Sequence, residues 1–233
     1  MRTIVLCAVS MLVACGQLLG QQITVPGVKW SDSYSFDKCN DFKVELYVKD
    51  NDLRRTLYFK TFYQTGGNNF DVMLNDSSKG GDIETIFDNT NYVAIQIFGS
   101  DAPEPNITAT RFKYPEGDEV KKLDLVDTDE TRTIAGHICK KYTYTYKKIF
   151  GSVWLTTEVD QPNDLGIFRA AKMAALHNSL SAEGFVMEMT SEDSKGGRTV
   201  MTTISLGTNE SHTVTLNRKK MGTSLNKVNY YTF

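Results

Sequence analysis

Residues 41–49 have the sequence DFKVELYVK, in which apolar and charged side chains alternate. Successive side chains of a β-strand point to opposite faces of the sheet, so a period of two predicts a strand with one buried and one wet face. The apolar positions that would face the core are Phe42, Val44, Leu46 and Val48.

Period-two alternation recurs along most of the chain. Paired glycines at residues 66–67, 80–81 and 196–197 lie between the runs, at a spacing typical of hairpin turns. The pattern predicts a mainly β protein of about ten to eleven antiparallel strands, arranged as a sandwich or a curved, open barrel. The further runs lie at 56–63, 70–74, 92–98, 110–114, 120–126, 141–147, 153–159, 185–189, 199–206 and 211–216.

One segment, residues 165–180, departs from the alternation. Asn163 and Asp164 are candidate N-cap residues before it, and its polar side chains are confined to one sector of a helix. We therefore expect an α+β protein in which one helix packs on the concave side of the sheet. The apolar residues that cover the rest of this helix are Phe168, Ala170, Ala171, Met173, Ala174, Ala175, Leu176 and Leu180.

The N-terminal segment has the features of an export signal. Arg2 is followed by an apolar run and then by small and polar residues around Gly20. The apolar run is shorter than the roughly 20 residues that a membrane-spanning helix needs. We therefore expect residues 1–20 to be removed and the mature protein to be extracytoplasmic.

Residues 12–15, LVAC, also resemble a bacterial lipobox. If that signal is used, residues 1–14 are removed and the thiol of Cys15 is acylated. Acyl chains would hold the protein on a membrane surface, and only in that case do we expect contact with a membrane. Both processing routes stay open at this point.

The charge of the chain excludes one class of partner. The formal net charge is −2 and the isoelectric point is about 6.0. Nucleic-acid-binding domains carry a basic patch, whereas short lysine clusters are typical of solvated faces. We therefore expect no nucleic-acid partner.

Two cysteines follow the signal segment, Cys39 and Cys139. In an exported chain they could form one disulfide that closes a loop of about 100 residues, or remain two separate buried thiols. The sequence favours neither alternative. No Cys-x-x-Cys or His-x-x-x-His pair occurs, so we expect no structural metal site.

Residues 133–142, TIAGHICKKY, are followed by alternate tyrosines and by VWLT at 153–156. This combination resembles the core of an uncharacterised family of exported proteins from Bacteroidota-type bacteria, whose fold is similar to the lipoprotein carriers LolA and LolB. His137 and Val186 depart from the family pattern, which has an aromatic residue and a proline at those positions. The resemblance implies a strongly curved antiparallel half-barrel with a helix in its hollow, and it carries over no catalytic residue.

The resemblance covers residues 36–221, which we expect to form a single LolA-like domain. It leaves residues 21–35 as an N-terminal extension and residues 222–233 as a C-terminal tail. It also implies a location in the bacterial periplasm or in association with the outer membrane.

Tyr142, Tyr144 and Tyr146 fall on one face of a predicted strand. Such a stripe could line an amphipathic groove, with the rings against an apolar ligand and the hydroxyls toward water. An ordinary strand surface is the alternative, because tyrosine favours strands. Trp154 and Phe168 are the other candidate ligand contacts, and for Trp154 a core position is the alternative.

The sequence contains no recognisable catalytic motif. The three histidines, His137, His177 and His212, have no GxSxG serine motif to pair with, and no phosphate-binding glycine motif occurs. We therefore expect a non-enzymatic protein without a cofactor that binds a lipid, an acyl chain or another hydrophobic ligand on a concave sheet. The alternatives are an interaction or sensor module of the cell envelope that docks a protein partner, and a hydrolase assembled from distant residues.

Overall fold

The computed structural model describes residues 29–75, 82–99, 106–112, 123–146, 148–161, 163, 182–216 and 221–228. Within these ranges the regular secondary structure is β, apart from one 3-10 turn at Lys49–Asn51. The fourteen strands are β1 (Ser33–Phe36), β2 (Lys38–Val48), β3 (Asp52–Tyr63), β4 (Phe70–Asn75), β5 (Ile83–Asp88), β6 (Val93–Phe98), β7 (Asn106–Phe112), β8 (Val126–Ile134), β9 (His137–Tyr146), β10 (Ile149–Thr156), β11 (Phe185–Asp193), β12 (Arg198–Thr208), β13 (His212–Thr215) and β14 (Met221–Val228).

Twelve of these strands form one large sheet, in the order β14-β7-β6-β5-β4-β3-β2-β12-β11-β10-β9-β8. Neighbouring strands are antiparallel, except that β14 lies parallel to β7. The two consecutive runs, β2 to β7 and β8 to β12, join where β12 pairs with β2. Because β14 and β8 stand at opposite ends of the order, the described sheet is not closed on itself. This confirms the predicted mainly β fold with a large, open antiparallel sheet.

The remaining strands, β1 and β13, form a separate two-stranded sheet. Tyr34 and Phe36 of β1 are buried in a hydrophobic cluster with side chains from β3 and from β5 to β7. The small sheet therefore covers one face of that part of the large sheet. The buried large-sheet members of this cluster include Phe62, Ile86, Val93, Ile95, Ile97, Ile107 and Ala109.

The turn between β8 and β9 lies at residues 135–136, within the TIAGHICKKY segment. Ala135 and Gly136 have φ values of 46° and 86°. Two consecutive positive φ angles are those of a type I′ turn, whose twist matches the flanking strands of a hairpin. Glycine adopts a positive φ without steric cost, so Gly136 suits this position of the turn. Gly66 and Gly196, in the turns after β3 and β11, have φ values of 73° and 83°.

The strand at Ile83–Asp88 is absent from the predicted set because its side chains do not alternate between apolar and polar. It is buried on both faces, and Glu84 and Asp88 are buried with it. At the other end of the sheet, β8 occupies Val126–Ile134 instead of the predicted run at 120–126. Most side chains of β8 are exposed at this edge, so burial imposes no alternation on its sequence.

Several predicted segments fall outside the described residues. These are the signal segment at 1–20, including Cys15, and the helix at 165–180, including Phe168. In the described part of the chain, no helix has the length and apolar composition that a membrane span requires. The strands reach beyond the predicted domain limits of 36 and 221, since β1 begins at Ser33 and β14 continues to Val228.

The structure corrects the disulfide alternative, because Cys39 and Cys139 are free, buried thiols. Cys39 lies on β2 and Cys139 on β9, and β12, β11 and β10 lie between them in the sheet. Strands are spaced by about 4.8 Å, so the two residues are roughly 19 Å apart along the sheet, whereas a disulfide needs Cα atoms within about 7 Å. Two separate buried thiols, the other predicted alternative, are what the structure contains.

Both thiols are expected to be unreactive in the folded protein. Burial, with the nearby carboxylates of Asp41 and Glu210, raises the pKa of Cys39 to about 12, and burial also raises the pKa of Cys139. Because the thiolate is the reacting form, a thiol dye at mildly alkaline pH should label neither residue before denaturation and both afterwards, without reductant. Fast labelling of the folded chain, or missing thiols after denaturation, would contradict this result.

Candidate functional site

One face of the large sheet carries a continuous row of apolar side chains across six strands. Residues paired directly across a β-ladder have their side chains on the same face, about 5 Å apart. The row runs from β9 through β10, β11, β12 and β2 to β3, and consists of Tyr142, Val153, Met189, Met201, Val44 and Leu57.

A second row continues on the same face from β2 to β6. Phe42 lies two positions from Val44 on β2, so both side chains point to the same side. This row consists of Phe42, Phe59, Leu74, Ile83 and Phe98. Together the two rows span nine adjacent strands, and we call this surface the apolar face.

The apolar face has a packed centre and accessible positions around it. Seven residues of the two rows are between 0% and 7% exposed: Phe42, Val44, Leu57, Leu74, Val153, Met189 and Met201. Phe59 and Tyr142 are only partly buried against the same hydrophobic cluster. Most of the apolar face is therefore buried, and Phe59 and Tyr142 are among its residues that are partly accessible.

The three predicted tyrosines share this face. They pair in turn with Val153, Gly151 and Ile149 of β10, which confirms their common orientation. Tyr144 is buried, and burial raises the pKa of its hydroxyl to about 12. The other two, Tyr142 and Tyr146, are partly buried and remain candidate ligand contacts.

Tyr144 reaches across β10 at a glycine. Its hydroxyl donates a hydrogen bond to the carbonyl oxygen of Thr190 on β11, at 3.0 Å. A Cβ atom added to Gly151 would lie 1.9 Å from that carbonyl oxygen and 2.9 Å from the Tyr144 hydroxyl. Because real Cβ atoms do not approach backbone atoms that closely, residue 151 is restricted to glycine.

Trp154 is not part of the apolar face. It follows Val153 on β10, so its side chain points to the opposite side of the sheet. There the Arg132 guanidinium lies 4.1 Å from the centre of its ring, and Nη2 of Arg132 is 2.5 Å from Oε1 of Glu188. The structure therefore brings the three tyrosines together and separates Trp154 from them, while Phe168 lies outside the described residues.

A second candidate site is a group of three ionisable side chains between the large sheet and the small one, each on a different strand. Asp71 belongs to β4 and Glu84 to β5, and both point toward the small sheet, whose strand β13 begins at His212. Nε2 of His212 lies 2.7 Å from Oε1 of Glu84 and 3.3 Å from Oδ2 of Asp71. The imidazole stacks on the Phe62 ring, with the ring centres 4.3 Å apart. We call these three residues the carboxylate–histidine cluster.

The cluster is buried, and its members shift one another's protonation. The side chains of Asp71 and Glu84 are 0% and 4% exposed, and that of His212 is 23% exposed. Asp71 and then Glu84 raise the pKa of His212 to about 9, whereas burial raises the pKa of Asp71. The hydrogen bond from Nε2 goes to Glu84, and neither carboxylate oxygen of Asp71 accepts a hydrogen bond from the described residues.

The raised pKa values predict that stability falls as the pH rises. His212 and Asp71 both hold a proton more tightly in the folded chain, so the folded state binds more protons than the unfolded state. The contribution of protonated His212 is complete below its ordinary pKa of 6.5 and is lost as the pH rises through about 9. This loss should be on the order of 2 kcal/mol.

Urea unfolding in a chelating buffer at a series of pH values between these limits measures this slope. The His212→Gln variant should show a flatter dependence, and His137→Gln should keep that of the wild type. A free energy of unfolding that is constant or rises over this range would contradict the assignment.

Sequence reasoning does not identify the cluster, although its two acidic residues are a signal that could have indicated it. Asp71 and Glu84 are acidic residues next to bulky apolar ones within predicted or observed strands, and an acid that is buried in such a strand needs a partner. The third member, His212, stands at the start of a predicted strand. Its pairing with Phe36 of β1 brings it over β4 and β5, and that long-range pairing is not visible in local sequence.

Comparison with known proteins finds only a weak structural likeness. No family model matches the chain, and no curated protein matches it. Two crystal forms of PNGF-II give a TM-score of 0.37 each at 11% and 12% identity, with 80% of this chain aligned to 31% of that one. This chain thus spans about a third of PNGF-II. The LolA superfamily protein NE2245 from Nitrosomonas europaea gives a TM-score of 0.32 at 9% identity, with 78% of this chain aligned to 89% of that one.

Proposed function

We propose that the protein is an exported, non-enzymatic binding protein of the bacterial cell envelope that holds a lipid acyl chain on its apolar face. The observation that supports this is the continuity of that face across nine strands of an open sheet. Phe59 and Tyr142 are partly accessible at positions where an acyl chain could lie along the rows.

The hydrophobic effect supplies the energy for such binding. Removal of each methylene group of an acyl chain from water is worth about 0.8 kcal/mol. A segment of several methylenes against aromatic and aliphatic side chains would offset the cost of immobilising the ligand. Tyr142 and Tyr146 add hydroxyl groups at one side of the face, where a polar headgroup could be hydrogen-bonded.

Lipid extraction from the purified protein tests the proposal. We expect mass spectrometry of the native extract to yield about one acyl lipid per chain. Phe59→Ser should lower this yield at least tenfold, whereas Tyr58→Ser is the matched control. Tyr58 is the preceding aromatic residue on β3, points to the opposite face and is 54% exposed. A wild-type extract without lipid, or equal yields from the two variants, would reject the proposal.

The route of export is part of the same proposal. Sequencing the N-terminus of the exported chain distinguishes removal of residues 1–20 from removal of residues 1–14. Labelling with a radioactive fatty acid that depends on Cys15 would identify the second route and place the protein on a membrane surface.

A protein-interaction module is the second candidate, and a separate observation favours it. Val126 and Phe150 are 63% and 46% exposed near the β8 end of the sheet, and they share one face because they pair with Thr143 and Thr145 of β9. Exposed apolar side chains at a sheet edge are typical of docking surfaces. Under this alternative the extract contains no lipid, and Phe150→Ser reduces capture of an envelope protein partner without changing the fold.

A further inference from the structure

We propose that Asp71, Glu84 and His212 form a binding site for one zinc ion. The three side chains come from β4, β5 and β13, and each offers one ligand atom, with all three atoms within 4.8 Å of one another. This inference is independent of the lipid-binding proposal, because the cluster lies on the other side of the sheet from the apolar face.

The carboxylate of Asp71 is the observation that points to a ligand. Its side chain is completely buried, and neither oxygen accepts a hydrogen bond from the described residues. His212 offers one positive charge to two buried carboxylates, and a divalent cation in this space would balance both and supply the contacts that the Asp71 oxygens lack. Oδ2 of Asp71 is 3.3 Å from Nε2 of His212, so both atoms border the same small space.

The distances suit a tetrahedral ion. Zinc binds imidazole nitrogen and carboxylate oxygen at about 2.0–2.2 Å, which places two ligands of a tetrahedral site about 3.3 Å apart. The Asp71–His212 separation already has this value. The Glu84–His212 separation of 2.7 Å is that of a hydrogen bond, and it would lengthen by about half an ångström as the ion replaces the proton on Nε2, which leaves to solvent.

The chemistry of the donors selects the class of metal. One imidazole and two carboxylates are ligands that zinc accepts, whereas magnesium and calcium prefer oxygen donors only. Two carboxylate charges and a neutral imidazole balance one divalent cation, so the ion could be buried without net charge. Phe36 and Phe62 flank the imidazole, and the 23% exposure of His212 leaves a route for entry.

Calorimetric titration of the chelator-stripped protein near neutral pH tests the site. We expect one zinc ion to bind per chain, at least 100-fold more tightly than magnesium. Asp71→Asn and Glu84→Gln should each weaken zinc binding at least tenfold. His137→Gln is the control, because His137 is the described histidine outside the cluster, where it pairs with Glu158 near the surface. Zinc binding weaker than about 100 µM, or unchanged in both cluster variants, would overturn the proposal.

X-ray absorption of the zinc-loaded wild type keeps the test independent of whether a variant folds. The expected spectrum has a shell of nitrogen and oxygen ligands at about 2.0–2.2 Å that includes one imidazole. A sulfur shell at about 2.3 Å would place the ion on a cysteine and overturn the assignment.

Discussion

Replacement of His212 by alanine should cost about 3–5 kcal/mol of unfolding free energy at neutral pH. The imidazole lies 2.7 Å from Glu84 and 3.3 Å from Asp71, and both carboxylates are almost fully buried. Removal of the histidine leaves two acidic groups in an apolar environment without a counter-charge, and it also removes the stacking on Phe62. Chemical denaturation in a chelating buffer measures the loss.

Replacement of Asp71, the carboxylate next to His212, should raise the free energy of unfolding or change it little. Asp71→Asn leaves His212 paired with Glu84 at 2.7 Å and removes the surplus negative charge of the buried cluster, so we expect a change of less than about 1 kcal/mol, or a gain in stability. Combined with His212→Ala, it should recover part of the loss. His137→Ala is the control for loss of a histidine and should cost less than about 0.5 kcal/mol. Equal losses from His212→Ala and His137→Ala would contradict this account of the cluster.

Replacement of Gly151 by valine should destabilise the protein by about 3 kcal/mol or more. The new Cβ would lie 1.9 Å from the Thr190 carbonyl oxygen, so β10 or β11 must shift, and the hydrogen bond from Tyr144 to that oxygen must break. The melting temperature should fall by roughly 6–12 °C for a domain of this size.

Two neighbouring variants separate the causes of that loss. Tyr144→Phe removes only the hydroxyl and should cost about 1 kcal/mol. Ser152→Ala, at the next position of β10, should change stability by less than about 0.5 kcal/mol. If Gly151→Val melts within about 2 °C of the wild type, the close approach of β10 and β11 is not as described.

The large sheet is predictable from sequence where burial is one-sided. β2 and β3 alternate because one side of each strand is packed and the other is in contact with water, and paired glycines mark the turns. The prediction fails at β5, which is buried on both faces, and at β1, whose four residues are too few to show a period. β14 pairs in parallel with the distant β7, and local pattern carries no information on such pairing.

For the candidate sites too, the sequence predicts what the spacing along one strand decides and misses what long-range packing decides. The common face of Tyr142, Tyr144 and Tyr146 follows from their spacing on one strand, so the sequence predicts it and the register confirms it. The separation of Trp154 from them depends on how β9 and β10 pair. The carboxylate–histidine cluster unites residues up to 141 positions apart, from 71 to 212, and only the packing of the small sheet on the large one brings them together.

Photo-crosslinking at adjacent positions of β3 tests the proposed use of the apolar face most directly. A benzophenone amino acid at position 59 points to the apolar face, and the same residue at position 58 points to the opposite face. Irradiation in intact cells should give a lipid adduct at 59 and none at 58. Adducts with protein only, or equal lipid labelling at both positions, would contradict a lipid held on this face.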